Sequence, residues 1–294
     1  MVEAFSLPTD LQAKHDRLLT LLKAMQRVVV AYSGGIDSTV VAKAAFLALG
    51  DDAVAITADS PSVPRTEIET ARQVAACIGI RHQLIATQEF ANPDYVKNDG
   101  TRCYHCKDEL YGQIEGILTA ADAKVICSGA NLDDMGDYRP GLTAAAEHKV
   151  RHPLQEAGFT KADVRALALY WNLPTWDKPA SPCLSSRLAP GVQVTPERTA
   201  RVEAAEAYLR KLGYREFRVR LHEGELARIE VPPEGLAKLA RPDVCQELVR
   251  HLKELGFRFV TLDLEGFRSG SLNTLVSLEH KKLFQTSNPQ SQLP

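Results

Sequence analysis

Residues 28–45 read Val28-Val29-Val30-Ala31-Tyr32-Ser33-Gly34-Gly35-Ile36-Asp37-Ser38-Thr39-Val40-Val41-Ala42-Lys43-Ala44-Ala45. The apolar run Val28–Tyr32 has the β-branched content of a buried strand. Two adjacent glycines then let the backbone turn sharply and bring its amides close to a ligand. The spacing predicts a helix from Ser38 onward, whose N-terminus adds the positive end of its dipole. Strand, glycine turn and helix start together make an anion site, with phosphate the expected anion. The plainer reading is a glycine turn without a ligand. Five specified positions in the right context argue against it.

The loop lacks the spacing and the lysine of the G-x-x-x-x-G-K-[ST] signature. It resembles instead the S-G-G-x-D-S pyrophosphate loop (PP-loop) of ATP pyrophosphatases, which split ATP into AMP and pyrophosphate. On that resemblance Ser33, Gly34, Gly35, Asp37 and Ser38 bind ATP, the serines offering hydroxyls and amides to phosphate oxygens. Asp37 repels phosphate unless a cation intervenes, so it reads as a magnesium ligand. Its alternative role is to cap the following helix.

Outward from the loop, strand and helix patterns alternate. Candidate strands are Arg27–Tyr32, Ala53–Ala58, Arg81–Ile85 and Lys124–Ser128, with helices such as Arg65–Ile78, Lys107–Ala121 and Lys161–Tyr170 between or after them. This alternation predicts an α/β fold, a doubly wound parallel sheet whose ligands lie beyond the carboxyl ends of its strands. The pattern changes after a proline- and serine-rich stretch at 176–191. A helix at Pro196–Leu212, strands at Glu216–Leu221 and Leu226–Val231, a helix at Asp243–Leu255 and a strand at Phe259–Leu264 follow. That order predicts a smaller C-terminal α+β domain with a partly antiparallel sheet. The expected division is a pyrophosphatase domain at 10–180, an interdomain loop at 181–194, the α+β domain at 195–275 and a polar, disordered tail at 276–294.

The chain has 294 residues, a formal net charge of −2 and 24% charged residues. That balance argues against bulk affinity for nucleic acid or membrane surfaces. No apolar stretch approaches the roughly 20 residues that span a bilayer. The N-terminus has no basic segment followed by an apolar one, so a signal peptide is not expected and the cytoplasm is. Six cysteines in a reducing compartment read as structural, metal-binding or reactive thiols rather than disulfides.

Several further residues could carry chemistry. Asp59 closes the second strand, where a carboxylate meets a ribose hydroxyl or caps a turn. Ser128-Gly129-Ala130-Asn131-Leu132-Asp133-Asp134 ends the fourth strand and fits a nucleotide edge, with Asp134 a candidate second magnesium ligand; the same composition makes Asx turns. Arg139 could reach a phosphate or carboxylate. Cys103 and Cys106 form a C-x-x-C, and Cys183 lies in the interdomain loop. Three thiolates fit a [4Fe–4S] cluster with one iron lacking a protein ligand, which a soft hydrosulfide could occupy. A zinc site using His105, a redox pair and plain structural thiols are the other readings. Lys178, expected at ATP, precedes Cys183, and Ser185-Ser186-Arg187 follows it. Arg218 and Arg220 alternate in one strand and so share a face, where they could hold a phosphate; a solvated sheet edge is the alternative. Arg268 lies in Gly266-Phe267-Arg268-Ser269-Gly270.

Together these residues closely resemble the LarE family of ATP-dependent sulfur transferases, which make pyridinium-3,5-bisthiocarboxylic acid mononucleotide for the nickel-pincer cofactor. The likeness runs from about residue 15 to 275. It rests on residues 31–39, on Asp137-Tyr138-Arg139-Pro140-Gly141-Leu142, and on Ser185-Ser186-Arg187. Further matches are Arg218-Val219-Arg220, Ala227-Arg228-Ile229-Glu230, Thr261-Leu262-Asp263-Leu264 and residues 266–270. The resemblance implies ATP, magnesium and a mononucleotide substrate, with Arg218, Arg220 and Arg268 at the substrate phosphate. Members with one cysteine sacrifice its sulfur from an Ala-Ser-Cys-Ser motif. Here the motif is Ala180-Ser181-Pro182-Cys183, one position later, and Cys103 and Cys106 are extra. The chain looks like the three-cysteine branch, which carries a [4Fe–4S] cluster and passes on a cluster-bound sulfide from a separate sulfide source. The likeness also leads us to expect a homo-oligomer. Competing readings are an amide-forming ligase like the NAD or GMP synthetases, a tRNA-thiolating enzyme, and a nucleotide-binding regulator without catalysis. The first leaves the three cysteines unexplained, and weak basicity counts against the second.

Overall fold

The computed structural model describes residues 7–121, 125–135, 139–268 and 270–276. Lys124, Asp137, Tyr138, Ser269 and the tail from residue 277, all part of the expectations above, lie outside the described residues. The chain runs through α1 (Thr9–Ala24), β1 (Val28–Ala31), α2 (Ile36–Leu49), β2 (Ala53–Asp59), α3 (Arg65–Ile78) and β3 (Arg81–Ala86). After α4 (Pro93–Val96) come α5 (Arg102–Ala121), β4 (Val125–Cys127), α6 (Pro140–Glu147), α7 (Pro153–Ala157) and α8 (Lys161–Tyr170). The last part holds α9 (Pro196–Lys211), β5 (Arg218–His222), β6 (Leu226–Glu230), α10 (Pro233–Leu239), α11 (Pro242–Glu254) and β7 (Phe259–Leu262).

The described residues form two compact units. The first holds residues 7–88 and Cys103–Ser181; the second holds Glu89–Arg102 and residues 182–276. In the first, four parallel strands lie in the order β3-β2-β1-β4. β1 is buried along its whole length, as its unbroken valine run requires of a central parallel strand. One face packs Val28, Val30, Ala53 and Ala55 against α1, α2, α3, α7 and α8. The other packs Val29, Ala31, Ile56 and Ile126 against Leu110, Tyr111 and Ile114 of α5. Helices therefore cover both faces. α3 shows how sequence builds a layer: Ile68, Ala71, Val74, Ala75 and Ile78 recur at helical spacing and are its buried residues. Among the described residues no helix is long and apolar enough to cross a membrane.

The second unit contains a mixed sheet, β5-β6-β7, with β5 antiparallel and β7 parallel to β6. α9 packs on β5 and buries Val202, Ala205 and Leu209, while Val219, Leu221, Ala227 and Ile229 are the buried apolar residues of the sheet. Strand alternation leaves Arg218, Arg220, Arg228 and Glu230 on the opposite face, with Arg218 across from Glu230 and Arg220 across from Arg228.

Candidate active site

The loop leaves the carboxyl end of β1, where β2 departs to one side and β4 to the other, a topological switch point. α2 starts at Ile36 with Gly35 as its N-cap, two residues earlier than the sequence spacing suggested. Asp37 accordingly lies in the first turn and is not the cap residue. Gly34 has φ +69°, and a Cβ there would stand 2.9 Å from the Ala71 Cβ. Gly129, beyond β4, packs so closely on the loop that a Cβ would come within 2.6 Å of the Ser38 amide nitrogen. Glycine is required at both positions.

Ser38 organises the turn. Its Oγ accepts from the Ser33 amide at 3.2 Å, donates to the Gly35 carbonyl at 3.1 Å and lies 3.1 Å from the Ser33 Oγ. Lys178, expected at ATP, donates from Nζ to the Gly34 carbonyl at 3.2 Å and pairs with Glu67 at 2.6 Å. It is thus held against the loop's first glycine. Asp59 pairs with Arg65, whose guanidinium also reaches the carbonyls of Ser60 and Val63, so its carboxylate braces the turn after β2.

Asp37 is gripped from two sides. Lys161 at the start of α8 contacts its Oδ2, and Asn131 donates from Nδ2 to Oδ1 at 3.0 Å. Asn131 is buried, and its Oδ1 accepts from the Asp133 amide at 3.0 Å. Asp134 accepts from the Asn131 amide at 3.0 Å, closing a capping box, and pairs with Arg139 at 2.8 Å. The Asx-turn reading of this stretch therefore holds alongside its contact with Asp37. Lys161 was invisible to sequence reasoning. Its only local signal is Thr160, which caps α8, and nothing nearby says that the next side chain reaches back to the loop.

The C-x-x-C lies differently from the expectation. α5 begins at Arg102 rather than Lys107, so Cys103 and Cys106 both lie within its opening two turns, three residues apart and neighbours on one face. Cys103 is exposed, Cys106 and Cys183 are half-buried, and none is in a disulfide. Among the described residues no three His, Cys, Asp or Glu side chains close around one point as a single-ion site would need.

In the second unit the Cys183 loop is fastened through its backbone. The buried Arg187 donates from Nη1 to the carbonyls of Pro182 and of Cys183, the latter at 3.0 Å, and forks onto Glu206 at 3.0 and 3.2 Å. Ser186 Oγ adds a bond to the Cys183 carbonyl at 2.6 Å. Arg220 is buried against the fully buried Glu230 at 2.8 Å, and Glu230 also takes Arg228 at 3.0 Å and Ser271 at 2.7 Å. Arg218 lies over the Phe267 ring at 5.1 Å; burial, with Arg187 nearby, lowers its guanidinium to about 10. Arg268 pairs with Glu265 at 2.5 Å and stands 3.9 Å from Asp263, which Arg228 approaches at 3.5 Å. Arg218 and Arg220 thus share a face, while Arg268 is tied to the turn after β7. Of the two acids that set these arginines, Glu230 lies in the Ala227–Glu230 match noted above, while Glu206 in α9 carried no sequence signal.

A strand-to-helix phosphate loop at a switch point, with a carboxylate and two lysines converging on it, defines an ATP-using domain of the PP-loop class. An NAD synthase family profile matches residues 18–97, the part of the chain that contains this loop. An uncharacterized protein of Synechocystis sp. is 46% identical over 267 residues, 91% of this chain and 99% of that protein. The pyridinium-3,5-bisthiocarboxylic acid mononucleotide synthase of Lactiplantibacillus plantarum is 42% identical over 270 residues, 91% of this chain and 96% of that enzyme. A tRNA-specific 2-thiouridylase of Azorhizobium caulinodans is 31% identical over 199 residues, 54% of this chain and 50% of that protein. The chain belongs to the LarE family of pyridinium-3,5-bisthiocarboxylic acid mononucleotide synthases.

Proposed function

We propose that this chain uses ATP and magnesium to adenylylate a carboxylate of pyridinium-3,5-biscarboxylic acid mononucleotide and then replaces AMP with sulfur. The substrate carboxylate attacks the α-phosphorus of ATP and pyrophosphate leaves. A hydrosulfide equivalent then attacks the acyl carbon, AMP leaves, and a thiocarboxylate remains. A carboxylate is a poor electrophile, and adenylylation supplies the leaving group it lacks. The observation that carries this reading is the phosphate loop of Ser33–Ser38, with Asp37 between Lys161 and Asn131, in a chain of this family.

Ser33, Gly34, Gly35 and Ser38 hold the phosphates, with Lys178 and Lys161 as cations beside them and Gly129 shaping the loop. Asp37 is the magnesium ligand, with Asp134 a second. Asp59 stands at the ribose side. Arg218 and Arg220 take the substrate phosphate, with Arg268 as a further cation. Cys103, Cys106 and Cys183 fit the donor set of a [4Fe–4S] cluster, being three reduced, accessible thiols outside any disulfide. Bound there, the cluster would supply an open iron for a sulfide ligand. In this reading the enzyme works in the cytoplasm as a homo-oligomer and draws on a separate sulfide source.

Anaerobic purification followed by iron and sulfide analysis and an assay on the dicarboxylate mononucleotide tests it. We expect iron and sulfide in the protein, with AMP, pyrophosphate and thiocarboxylate as products. Pyrophosphate release with no thiocarboxylate, from a colourless protein that takes up no iron on reconstitution, would defeat the cluster-borne sulfur step.

A further inference from the structure

Thr57 is buried inside the parallel sheet of the first unit, on the face that β2 otherwise lines with Ala53 and Ala55. Valine has the same shape, and a hydroxyl among apolar neighbours costs free energy unless it is bonded. Thr57 Oγ1 lies 2.6 Å from the Tyr32 carbonyl oxygen and 2.9 Å from His82 Nε2. A carbonyl only accepts, so the single Thr57 proton goes to Tyr32. His82 then donates its Nε2 proton to Thr57. Burial, with the Arg72 charge nearby, lowers the His82 pKa, so the ring is uncharged in neutral solution and its one proton is the Nε2 proton.

Strand register explains how three strands contribute. His82 on β3 is paired with Ala55 on β2, so it points to the same face as Thr57, and Tyr32 follows β1 on that face. β1 and β3 flank β2 about 10 Å apart, a gap that only long side chains cross. The Tyr32 and His82 rings cross it and meet edge to face, their centroids 5.5 Å apart at 88°.

The first peptide of the phosphate loop is what these bonds fix. The Tyr32 amide donates to the Ile56 carbonyl at 2.8 Å, as a strand residue does. Its carbonyl is held by Thr57, and the N–H of the same peptide, that of Ser33, donates to Ser38 Oγ at 3.2 Å. With both sides of the Tyr32–Ser33 peptide bonded, the direction in which Ser33 enters the glycine turn is set. We propose that Thr57, backed by His82, is a positioning residue for the phosphate loop. Both act through Tyr32, and they fix the aim of the loop before any phosphate arrives, which is how fixed dipoles bind charge best. The inference rests on the phosphate reading of Ser33–Ser38.

The test measures equilibrium binding of magnesium pyrophosphate, and separately of AMP, to the full-length chain as wild type, Thr57→Val, Thr57→Ser and His82→Leu. Thr57→Val keeps the shape and leaves the Tyr32 carbonyl without this donor. We expect it to bind pyrophosphate about tenfold more weakly, the size of one hydrogen bond, and to bind AMP as the wild type does. Thr57→Ser keeps the hydroxyl and should bind both ligands normally. His82→Leu removes the donor behind Thr57 and should weaken pyrophosphate about threefold, which keeps the question answerable should Thr57→Val not fold. NMR of the histidine rings should find the His82 proton on Nε2. A proton on Nδ1 alone reverses the bond to Thr57 and overturns the assignment. Wild-type pyrophosphate affinity in Thr57→Val and His82→Leu overturns it too, while leaving the loop a phosphate site. Equal loss of both ligands, or a loss that Thr57→Ser shares, reduces Thr57 to packing and has the same effect. Failure of the wild type to bind pyrophosphate removes the phosphate reading and the proposal with it.

Discussion

Asp37 carries the sharpest question at the residue scale. A carboxylate in the first turn of α2 gains from the helix dipole wherever it points. Here it also faces the Lys161 ammonium and the Asn131 amide, an arrangement that holds a charge in place beside a phosphate loop. A first-turn structural role and metal binding respond differently to one substitution. Asparagine keeps the size and an amide oxygen at that position, losing only a modest dipole contribution, but is a far poorer magnesium ligand. Asp37→Asn should therefore fold normally yet release pyrophosphate about a hundredfold more slowly, with a higher magnesium concentration needed for half-maximal rate. Wild-type release at ordinary magnesium would rule out the metal role.

At the scale of elements, α5 and α6 are joined through a histidine. His148 caps the carboxyl end of α6 and places Nε2 2.9 Å from Asp108 and Nδ1 3.1 Å from Glu115, both on α5. Two carboxylates on two ring nitrogens call for the doubly protonated imidazolium. Burial pulls the His148 pKa down, but hydrogen bonds to Asp108 and Glu115 outweigh it and the net direction is up. A raised folded-state pKa contributes stability below the ordinary value of about 6.5, and that contribution disappears as pH climbs through the raised one. The denaturant midpoint should thus fall as pH rises above the ordinary histidine value of about 6.5, and His148→Gln should flatten that part of the profile. An unchanged slope in the variant would show that the clamp contributes nothing. This helix pair also marks where sequence ran out. The glycine loop was legible because its turn, strand and helix lie within a dozen residues, and so was the arginine strand, because alternation is local. The start of α5 was not, since Cys103, Tyr104, His105 and Cys106 are weak helix formers that obscure the capping-type Thr101 before them. Nor was the excursion at Glu89–Arg102, whose defining bonds run from Asn98 to carbonyls some ninety residues away.

Over the whole molecule the proposed chemistry divides between the units. The phosphate loop, both lysines, Cys103 and Cys106 belong to the first, while Cys183 and the arginine face belong to the second. Activation and sulfur delivery can then be separated by one atom. Arg187 and Ser186 hold the carbonyl of Cys183 and not its thiol, so Cys183→Ala removes the sulfur without removing any of those bonds to the loop. Charge, fold and the ATP loop are untouched by the change. The variant should adenylylate its substrate and release pyrophosphate at near the wild-type rate, yet bind little iron and form no thiocarboxylate. Mass spectrometry of the mononucleotide alongside a pyrophosphate assay reads both halves at once. Thiocarboxylate formed over repeated turnovers by Cys183→Ala would move sulfur delivery to another group. Loss of pyrophosphate release in the same variant would mean that the thiol helps to seat the substrate for activation, and that the two halves of the reaction share a residue.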